Sequence, residues 1–315
     1  MGRIGVAVVG AGAWGRNIVR ALKELETEGL VGVEAIVDAD EERARSVAEE
    51  FNISTYSTDV LEVPSKGVPA AVVAVSIDQL PVISKALIER GVHVFVEKPV
   101  STRSVDILEL IELAKVSGVI TQPGFIVRFD PVSKKLKEFL SLYGQVKYVI
   151  FRRLSRRPKH RQRFPIVFDL MVHDIDLTQY LLGRREWRVL SVNAIEFTEA
   201  ATHTLEVLVK YGRTVITYIA DGLLPVKVRE VDIATDRAYI RGNFKTCKVV
   251  VETPQGMSSH EARGEEPLKE ELRAFIMRVR GFNVREAPTL EDAYEAVRIA
   301  EEIFRLEKHL SLIHI

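Results

Sequence analysis

The chain has 315 residues, of which 47% are hydrophobic, so the sequence predicts about two domains with sizeable cores. Lys and Arg together number 44, as do Asp and Glu, and this balance lacks the basic excess typical of nucleic-acid binders. Cys247 is the single cysteine, which excludes an intrachain disulfide and a thiolate zinc site, and no metal centre is expected. Since no signal peptide and no apolar run of about 20 residues is visible, we expect a cytoplasmic protein with no membrane partner.

Strands and helices alternate over the first 120 residues. Short apolar runs predict strands that are buried on both faces, and segments with helical spacing separate them. The predicted strands are 3–9, 31–37, 70–75, 92–96 and 119–121, and the predicted helices are 14–26, 41–51, 79–90 and 104–117. This order is typical of a doubly wound parallel sheet, which we assign to a first domain at residues 1–122.

The pattern changes in residues 123–315, which we assign to a second domain. Helices are predicted at 131–140, 167–182, 268–280 and 290–308. Strands are predicted at 145–154, 188–197, 204–209, 214–220, 228–234, 237–240 and 245–251. Successive strands without intervening helices indicate an α+β domain with a large open, mostly antiparallel sheet. The fold class is therefore α/β, with a parallel-sheet domain followed by this α+β domain.

A glycine motif joins the first predicted strand to the first predicted helix. It reads Gly10, Ala11, Gly12, Ala13, Trp14, Gly15. G-x-G-x-x-G in this context is typical of the dinucleotide site of a Rossmann domain. The first glycine permits a tight turn, the second lets the backbone approach a pyrophosphate, and the third lets helix and strand pack closely. The N–H groups and dipole of the helix N-terminus favour phosphate binding there.

Asp38 follows the second predicted strand, where a carboxylate can accept hydrogen bonds from the adenosine ribose. Its charge would repel a 2′-phosphate, and neither Ala39 nor Asp40 is basic. The sequence therefore predicts NAD as the cofactor.

Two further groups of residues have the chemistry of an active site. Glu97, Lys98 and Pro99 follow a predicted strand at the edge of the sheet where ligands bind, which predicts a cleft position for Lys98. Asp169 and His173 are four apart in a predicted helix and share a face, so the carboxylate can orient the imidazole for proton exchange with a hydroxyl. The same spacing also fits an ordinary surface pair.

The glycine motif, Glu-Lys-Pro, Asp169-x-x-x-His173-Asp-x-Asp-Leu and Tyr-Leu-Leu-Gly together resemble the glucose–fructose oxidoreductase and inositol dehydrogenase (Gfo/Idh/MocA) family over nearly the whole chain. The resemblance implies that Lys98, Asp169 and His173 are catalytic and that a cis peptide precedes Pro99. It also implies a C-terminal sheet that forms a homo-oligomer, either a dimer or a tetramer.

The chain departs from the family pattern in two places. The segment after the third predicted strand, which holds Ser76, lacks the usual Pro and His. We expect cofactor contacts from Ser76, Glu97 and Lys98. Phe164–Phe168 replaces the Gly pair that often precedes the catalytic Asp, so the family pattern does not predict the backbone conformation before Asp169.

Residues 152–163 contain seven Lys or Arg and no acid. Such a stretch near the expected active site can bind an anion such as the diphosphate of a nucleotide sugar, with Arg156 and Arg157 as ligands. It can equally be a solvated loop, or pair with acids of a neighbouring subunit. The segment around Arg128 and the Arg-Arg stretch resemble the branch that oxidises the 3-hydroxyl of UDP-N-acetylglucosamine-type sugars with NAD.

We therefore predict an NAD-dependent dehydrogenase of a sugar hydroxyl, with Arg128, Arg156, Arg157, Asp169 and His173 at the substrate. Two other functions stay open, a dehydrogenase of a free polyol such as an inositol and an NAD-bound sensor without turnover.

Overall fold

The structure, a computed structural model, describes residues 2–198 and 201–313. Two compact units divide the chain. The first contains Met1–Ile126 and Glu266–Glu295, and the second contains Val127–Glu265 and Ala296–Ile315. Within the described ranges, no helix is long and apolar enough to cross a bilayer.

The first unit has the alternating order that the sequence predicts. Its elements are β1 Ile4–Val9, α1 Ala13–Thr27, β2 Val31–Val37, α2 Glu41–Glu50, β3 Tyr56–Ser57, α3 Glu62–Ser65, β4 Ala70–Val73, α4 Leu80–Ile88, β5 His93–Glu97, α5 Ser104–Ser117 and β6 Thr121–Gly124. The sheet is parallel, in the order β3-β2-β1-β4-β5-β6. Its central strands are apolar because helices cover both faces. The predicted doubly wound parallel sheet is confirmed.

The second unit is built around a larger sheet. Its helices are α6 Pro131–Leu142, a π-helix at Val167–Met171 and α7 Val172–Leu182. Its strands are β7 Val146–Leu154, β8 Trp187–Thr198, β9 Ala201–Tyr211, β10 Thr214–Asp221, β11 Val228–Thr235, β12 Tyr239–Asn243, β13 Lys248–Thr253 and β14 Gly256–Glu261. The eight strands run in the order β14-β13-β12-β11-β7-β10-β9-β8, and β7 with β10 is the one parallel pair among them. The predicted open, mostly antiparallel sheet is confirmed.

Strand β14 was not predicted from the sequence. Its residues Gly256–Glu261 are largely polar and exposed, so they show no apolar alternation. The strand forms because its backbone pairs with β13 across a tight turn, from Thr253↔Gly256 to Lys248↔Glu261. Backbone hydrogen bonds at the sheet edge therefore form this strand, although its side chains show no apolar alternation that would predict it.

The last two helices of the chain are α8, Pro267–Val279, and α9, Leu290–Ile313. Although α8 follows the second sheet in sequence, its residues Leu268, Leu272 and Phe275 belong to the apolar core of the first unit. Helical periodicity shows which face of α8 is buried but not which core buries it, and the proposed bounds 1–122 and 123–315 stay a prediction.

Candidate active site

The glycine motif forms a close turn between β1 and α1 in the first unit. A Cβ on Gly10, whose φ is +106°, would lie 2.3 Å from the carbonyl oxygen of Ala74, and one on Gly15 would lie 1.8 Å from the carbonyl oxygen of Gly10. Gly12, the N-cap of α1, instead faces open space, with no described atom within 4 Å of an added Cβ. The two outer glycines are thus required by packing, and the middle one leaves room for a ligand at the helix N-terminus.

Asp38 stands beside this turn and is mostly buried. Its Oδ2 accepts a hydrogen bond of 2.7 Å from the backbone N–H of Ala11, and its Oδ1 accepts one of 3.0 Å from the N–H of Asp40. Arg43, on the first turn of α2, also approaches Oδ1, at 3.4 Å. A carboxylate has about four acceptor positions, so these contacts leave capacity for ribose hydroxyls. The turn, the open N-terminus and Asp38 together fit the adenosine half of a dinucleotide.

Glu97 links the glycine motif to Lys98. Its Oε1 accepts a hydrogen bond of 2.6 Å from the indole Nε1 of Trp14, and its Oε2 accepts one of 3.2 Å from the backbone N–H of Lys98. The carboxylate packs so closely on Gly124 that a Cβ there would lie 3.0 Å from it. The peptide between Lys98 and Pro99 is cis, as the resemblance implied. Glu97 therefore orders the segment that carries Lys98, a role its sequence position did not reveal.

Ser76 and Ala13 complete the predicted cofactor set in the first unit. Ala13 is the first residue of α1. Ser76 is exposed and precedes α4, and its carbonyl oxygen accepts hydrogen bonds from the N–H groups of Gln79 and Leu80. Their contacts with a dinucleotide stay predictions.

Asp169 and His173 lie on one continuous helical segment of the second unit, but its first turn is a π-helix rather than an α-helix. The N–H of Val172 donates to the carbonyl of Val167, five residues earlier. The residues in place of the usual glycine pair lead into this π turn, and such turns occur frequently at functional sites. His173 is half-buried in the first turn of α7.

The Asp169 carboxylate is 2% exposed and is held by two arginines. Arg161 donates from Nη1 to Oδ1 at 3.1 Å, and Nη1 of Arg157 lies 3.6 Å from Oδ2. Arg157 is buried and also donates to the carbonyl oxygen of Phe164, at 2.8 Å. Both arginines therefore fix the position of the carboxylate.

The two remaining acids of the motif form buried ion pairs. Arg153 on β7 donates from Nε and Nη2 to the two oxygens of Asp174, at 2.9 and 2.6 Å. Arg128 donates from Nε to Oδ2 of Asp176 at 2.8 Å, with both side chains almost fully buried. These pairs secure α7 from two sides. The described contacts of Arg128 serve the fold, and its contact with substrate stays a prediction.

Four of the seven cations in the basic stretch at residues 152–163 pair with acids of the same chain. Arg152 contacts Glu230 and Asp232 on β11, while Arg153, Arg157 and Arg161 pair with acids described above. Arg156 is exposed. Neither a fully solvated loop nor pairing with another subunit accounts for these contacts. The acids could not be found from spacing because they lie between 8 and 80 residues away.

The first unit has a parallel sheet, a glycine turn with space for a ligand at the N-terminus of α1, and the carboxylate of Asp38 beside that turn. These features define it as an NAD-binding Rossmann domain of an oxidoreductase. Residues 4–125 match the family model described as "Oxidoreductase family, NAD-binding Rossmann fold" (GFO_IDH_MocA). This match places the NAD-binding domain, but not by itself the rest of the chain, in the Gfo/Idh/MocA oxidoreductase family.

Two curated relatives are similar to the chain over most of its length. The myo-inositol dehydrogenase Hyg17 of Streptomyces leeuwenhoekii is 27% identical over 94% of both chains. The UDP-N-acetylglucosamine 3-dehydrogenase of Acidithiobacillus ferrooxidans is 26% identical over 75% of this chain and 73% of its own. The myo-inositol 2-dehydrogenase of Thermotoga maritima is 29% identical, but the match spans 58% of that relative.

The fold also has solved counterparts. The crystal structure of the UDP-N-acetylglucosamine 3-dehydrogenase GnnA from Acidithiobacillus ferrooxidans superposes with a TM-score of 0.87, at 19% identity, over 97% of this chain and 98% of that one. At this identity the likeness establishes the two-domain architecture and not the substrate.

Proposed function

We propose that the protein is an NAD-dependent dehydrogenase of a secondary sugar hydroxyl, acting on a nucleotide sugar of the UDP-N-acetylglucosamine type at its 3-hydroxyl. The observation that carries the proposal is the buried Asp169 carboxylate, held by two arginines on the helical segment that presents the half-buried His173. A carboxylate fixed in this way is suited to orienting and polarising an imidazole. The similarity to a UDP-N-acetylglucosamine 3-dehydrogenase gives further support.

In this proposal, residues of the chain bind NAD, remove the proton of the substrate hydroxyl and stabilise the negative charge that develops on its oxygen. Gly12 and the N-terminus of α1 would hold the pyrophosphate of NAD, and Asp38 the ribose. Bound NAD supplies the acceptor for the hydride of the carbon that carries the hydroxyl. His173 or Lys98 takes the hydroxyl proton, and Lys98 also stabilises negative charge that develops on the oxygen. Glu97 orders Lys98, and Asp169 orders His173.

The test is turnover by single variants, with NADH absorbance as the readout. We expect Lys98→Ala and His173→Ala each to lower kcat by about 10²- to 10⁴-fold, the range for a general acid or base, while NAD affinity is retained. Lys115→Ala, on the exposed face of α5, and His260→Ala, on β14, are matched controls that should keep wild-type kcat. Wild-type turnover in both active-site variants would refute the assignment. If one of the two variants also loses one limb of the pH–rate profile, the residue replaced in that variant is the general base.

A free polyol such as an inositol is the second candidate substrate. Two observations favour it. Arg157, one of the two arginines predicted to bind a diphosphate, is paired with Asp169, and an inositol dehydrogenase is a relative that matches over 94% of both chains. Arg156→Ala separates the two, because Arg156 is exposed whereas replacing Arg157 would also disturb Asp169. A large rise in KM favours the nucleotide sugar, and an unchanged KM favours the polyol. No reduction of NAD by a broad panel of both substrate classes would instead favour the sensor.

We also propose that the chain forms a homo-oligomer through the open face of the second sheet. Along β7 and β10 one face is buried, and the other carries Tyr148, Ile150, Val215 and Ile219. Tyr148 and Val215 are neighbours in register and are 41% and 39% exposed. An apolar sheet face of this kind is typical of an interaction surface. Light scattering of the wild type and of Tyr148→Glu tests it, since a monomeric wild type would refute the proposal.

A further inference from the structure

A cavity of about 240 Å³ lies within the second unit, and its charges are strongly unbalanced. Its charged lining consists of Asp130 and four cationic side chains, Arg153, Lys227, Arg229 and Lys245. Arg153 is already neutralised by the two hydrogen bonds that it donates to Asp174. No carboxylate of the described residues forms an ion pair with any of the other three cations.

Arg229 has an unusual neighbour in the sheet. In the antiparallel pairing of β11 with β7 it lies directly opposite Arg153. Like charges at such positions destabilise a sheet. The half-buried Arg229 guanidinium also has a buried Nε with no hydrogen-bond partner among the described residues. Burial, and then the charge of Arg153, lower the pKa of Arg229 to about 10. The fold thus holds a cation where it is unfavourable without a ligand.

The two lysines add to this charge. Lys227 and Lys245 are exposed, and the pKa of Lys227 is lowered first by the charge of Arg229 and then by burial. When the four cations are set against Asp130 and Asp174, two positive charges remain in excess. Asp130 also caps α6 by accepting a hydrogen bond from the N–H of Val132, so its carboxylate is shared between the helix and the nearby cations.

We infer that Lys227, Arg229 and Lys245 form a binding site for a phosphoryl group. Two excess positive charges match a phosphate dianion or a diphosphate better than a single carboxylate. The planar guanidinium can donate two parallel hydrogen bonds to phosphate oxygens, and the ammonium groups act as point charges. Since a water occupies about 30 Å³ of liquid, the cavity has room for about eight water-sized atoms, enough for a phosphoryl group and the atoms next to it. Val127 and Phe244 form an apolar part of the cavity wall.

The assignment of this site to the diphosphate of a nucleotide-sugar substrate rests on the proposed function, whereas the phosphoryl site itself does not. The basic stretch at residues 152–163 suggested an anion site from sequence, but most of its cations have partners. The three cations of the proposed site lie elsewhere, with Lys227 just before β11, Arg229 on β11 and Lys245 in the turn after β12.

Calorimetric titration of the NAD-saturated protein with pyrophosphate and with UDP, in a buffer free of phosphate and sulfate, tests the site. We expect Arg229→Gln and Lys227→Gln each to weaken binding by about 10- to 100-fold, as for the loss of a charge-assisted hydrogen bond, and added salt to weaken wild-type binding. Arg241→Gln, an exposed cation on the neighbouring strand β12, is the matched control and should bind like the wild type.

Stability gives a second readout. Because Arg229→Gln removes a like-charge pair across β7 and β11, its Tm should equal or exceed that of the wild type. Loss of binding with an unchanged or higher Tm therefore supports a ligand site, whereas loss of binding together with a lower Tm contradicts it. Pyrophosphate and UDP binding that is equal in wild type and Arg229→Gln, or absent from the wild type, overturns the inference.

Turnover then separates this inference from the proposed function. If Arg229→Gln raises the KM for UDP-N-acetylglucosamine but not the KM for myo-inositol, the site binds the diphosphate of the substrate. If phosphoryl binding depends on Arg229 but no nucleotide sugar is turned over, the proposed function fails and the phosphoryl site is supported.

Discussion

The buried pair between Arg128 and Asp176 allows the role of a predicted substrate residue to be tested through stability. The Asp176→Ala variant would leave the Arg128 guanidinium charged and without its carboxylate, in a place where the two side chains are 6% and 0% exposed. The guanidinium cannot avoid this energetic cost by losing its proton, because arginine side chains stay protonated in proteins. Water is also largely excluded, so the lost hydrogen bonds are not replaced.

Breaking a buried pair by removing one partner costs about 3–5 kcal/mol. For a unit of this size that corresponds to a fall in Tm of roughly 10 °C. Calorimetry and urea unfolding should both show the loss. Glu302→Ala, which breaks the exposed pair with Arg305, is the matched control and should cost less than about 1 kcal/mol. A fall in Tm for Asp176→Ala no larger than that of the control would refute the argument.

A double variant, Arg128→Met with Asp176→Met, separates fold from substrate binding. Replacing both partners of a buried pair by apolar residues is often neutral or stabilising, so stability should return close to that of the wild type. If Arg128 serves only to hold α7 in place, KM should return to the wild-type value together with stability. A raised KM in a stable double variant would show that Arg128 also contacts the substrate.

Two further predictions concern the first unit. Replacing Asp38 by Ser removes the carboxylate that disfavours a 2′-phosphate and leaves Arg43 nearby, so the ratio of kcat/KM for NADP to that for NAD should rise by about 10- to 100-fold; an unchanged ratio in steady-state assays would contradict this. Arg273 and Lys269 on α8 lower the pKa of Glu28 to about 2. The stability that this carboxylate contributes is therefore fully present above its usual pKa of 4.5 and is lost as the pH falls towards 2. Glu28→Gln should be less stable than the wild type by about 1 kcal/mol at neutral pH, and urea unfolding should show the difference shrinking below pH 4.5. A difference that stays constant across that range would argue against the ion pair.

The order of secondary structure was predictable because the patterns that decide it are local. The predicted helix at 104–117 and strand at 31–37 have the bounds found in the structure. Apolar runs between glycines define the parallel strands, and Gly118 in the left-handed region ends α5 as expected. The glycine motif was predictable for the same reason, since all of its steric requirements lie within one turn and its neighbouring strand.

The electrostatic partners were not predictable, because they depend on long-range register. Asp174 and Asp176 are two apart in α7, yet they bind arginines 21 and 48 residues away, on different elements. In sequence, a dense run of arginines suggests a solvated or anion-binding surface. In the structure, acids of the π-helix, α7 and β11 pair with four of its seven cations. The π turn before Asp169 was hidden too, since its signature is a hydrogen bond and not a residue pattern.

The same two strands show why Arg229 is exceptional. At one register position of β7 and β11, Arg152 faces Glu230, and the ion pair is completed by Asp232. At the next position, on the other face of the sheet, Arg153 faces Arg229. Arg153 already has its carboxylate partner in Asp174, so Arg229 meets a like charge across the strands and forms no ion pair with an acid of the described residues. That an arginine stands there is difficult to explain by stability, and it is explained if a phosphoryl group supplies the missing negative charge. Arg229→Met, which removes the like charge without adding an acid near Asp130 and Asp174, should therefore keep or raise Tm and weaken pyrophosphate binding. A variant that lowered Tm would count against a functional reason for the arginine.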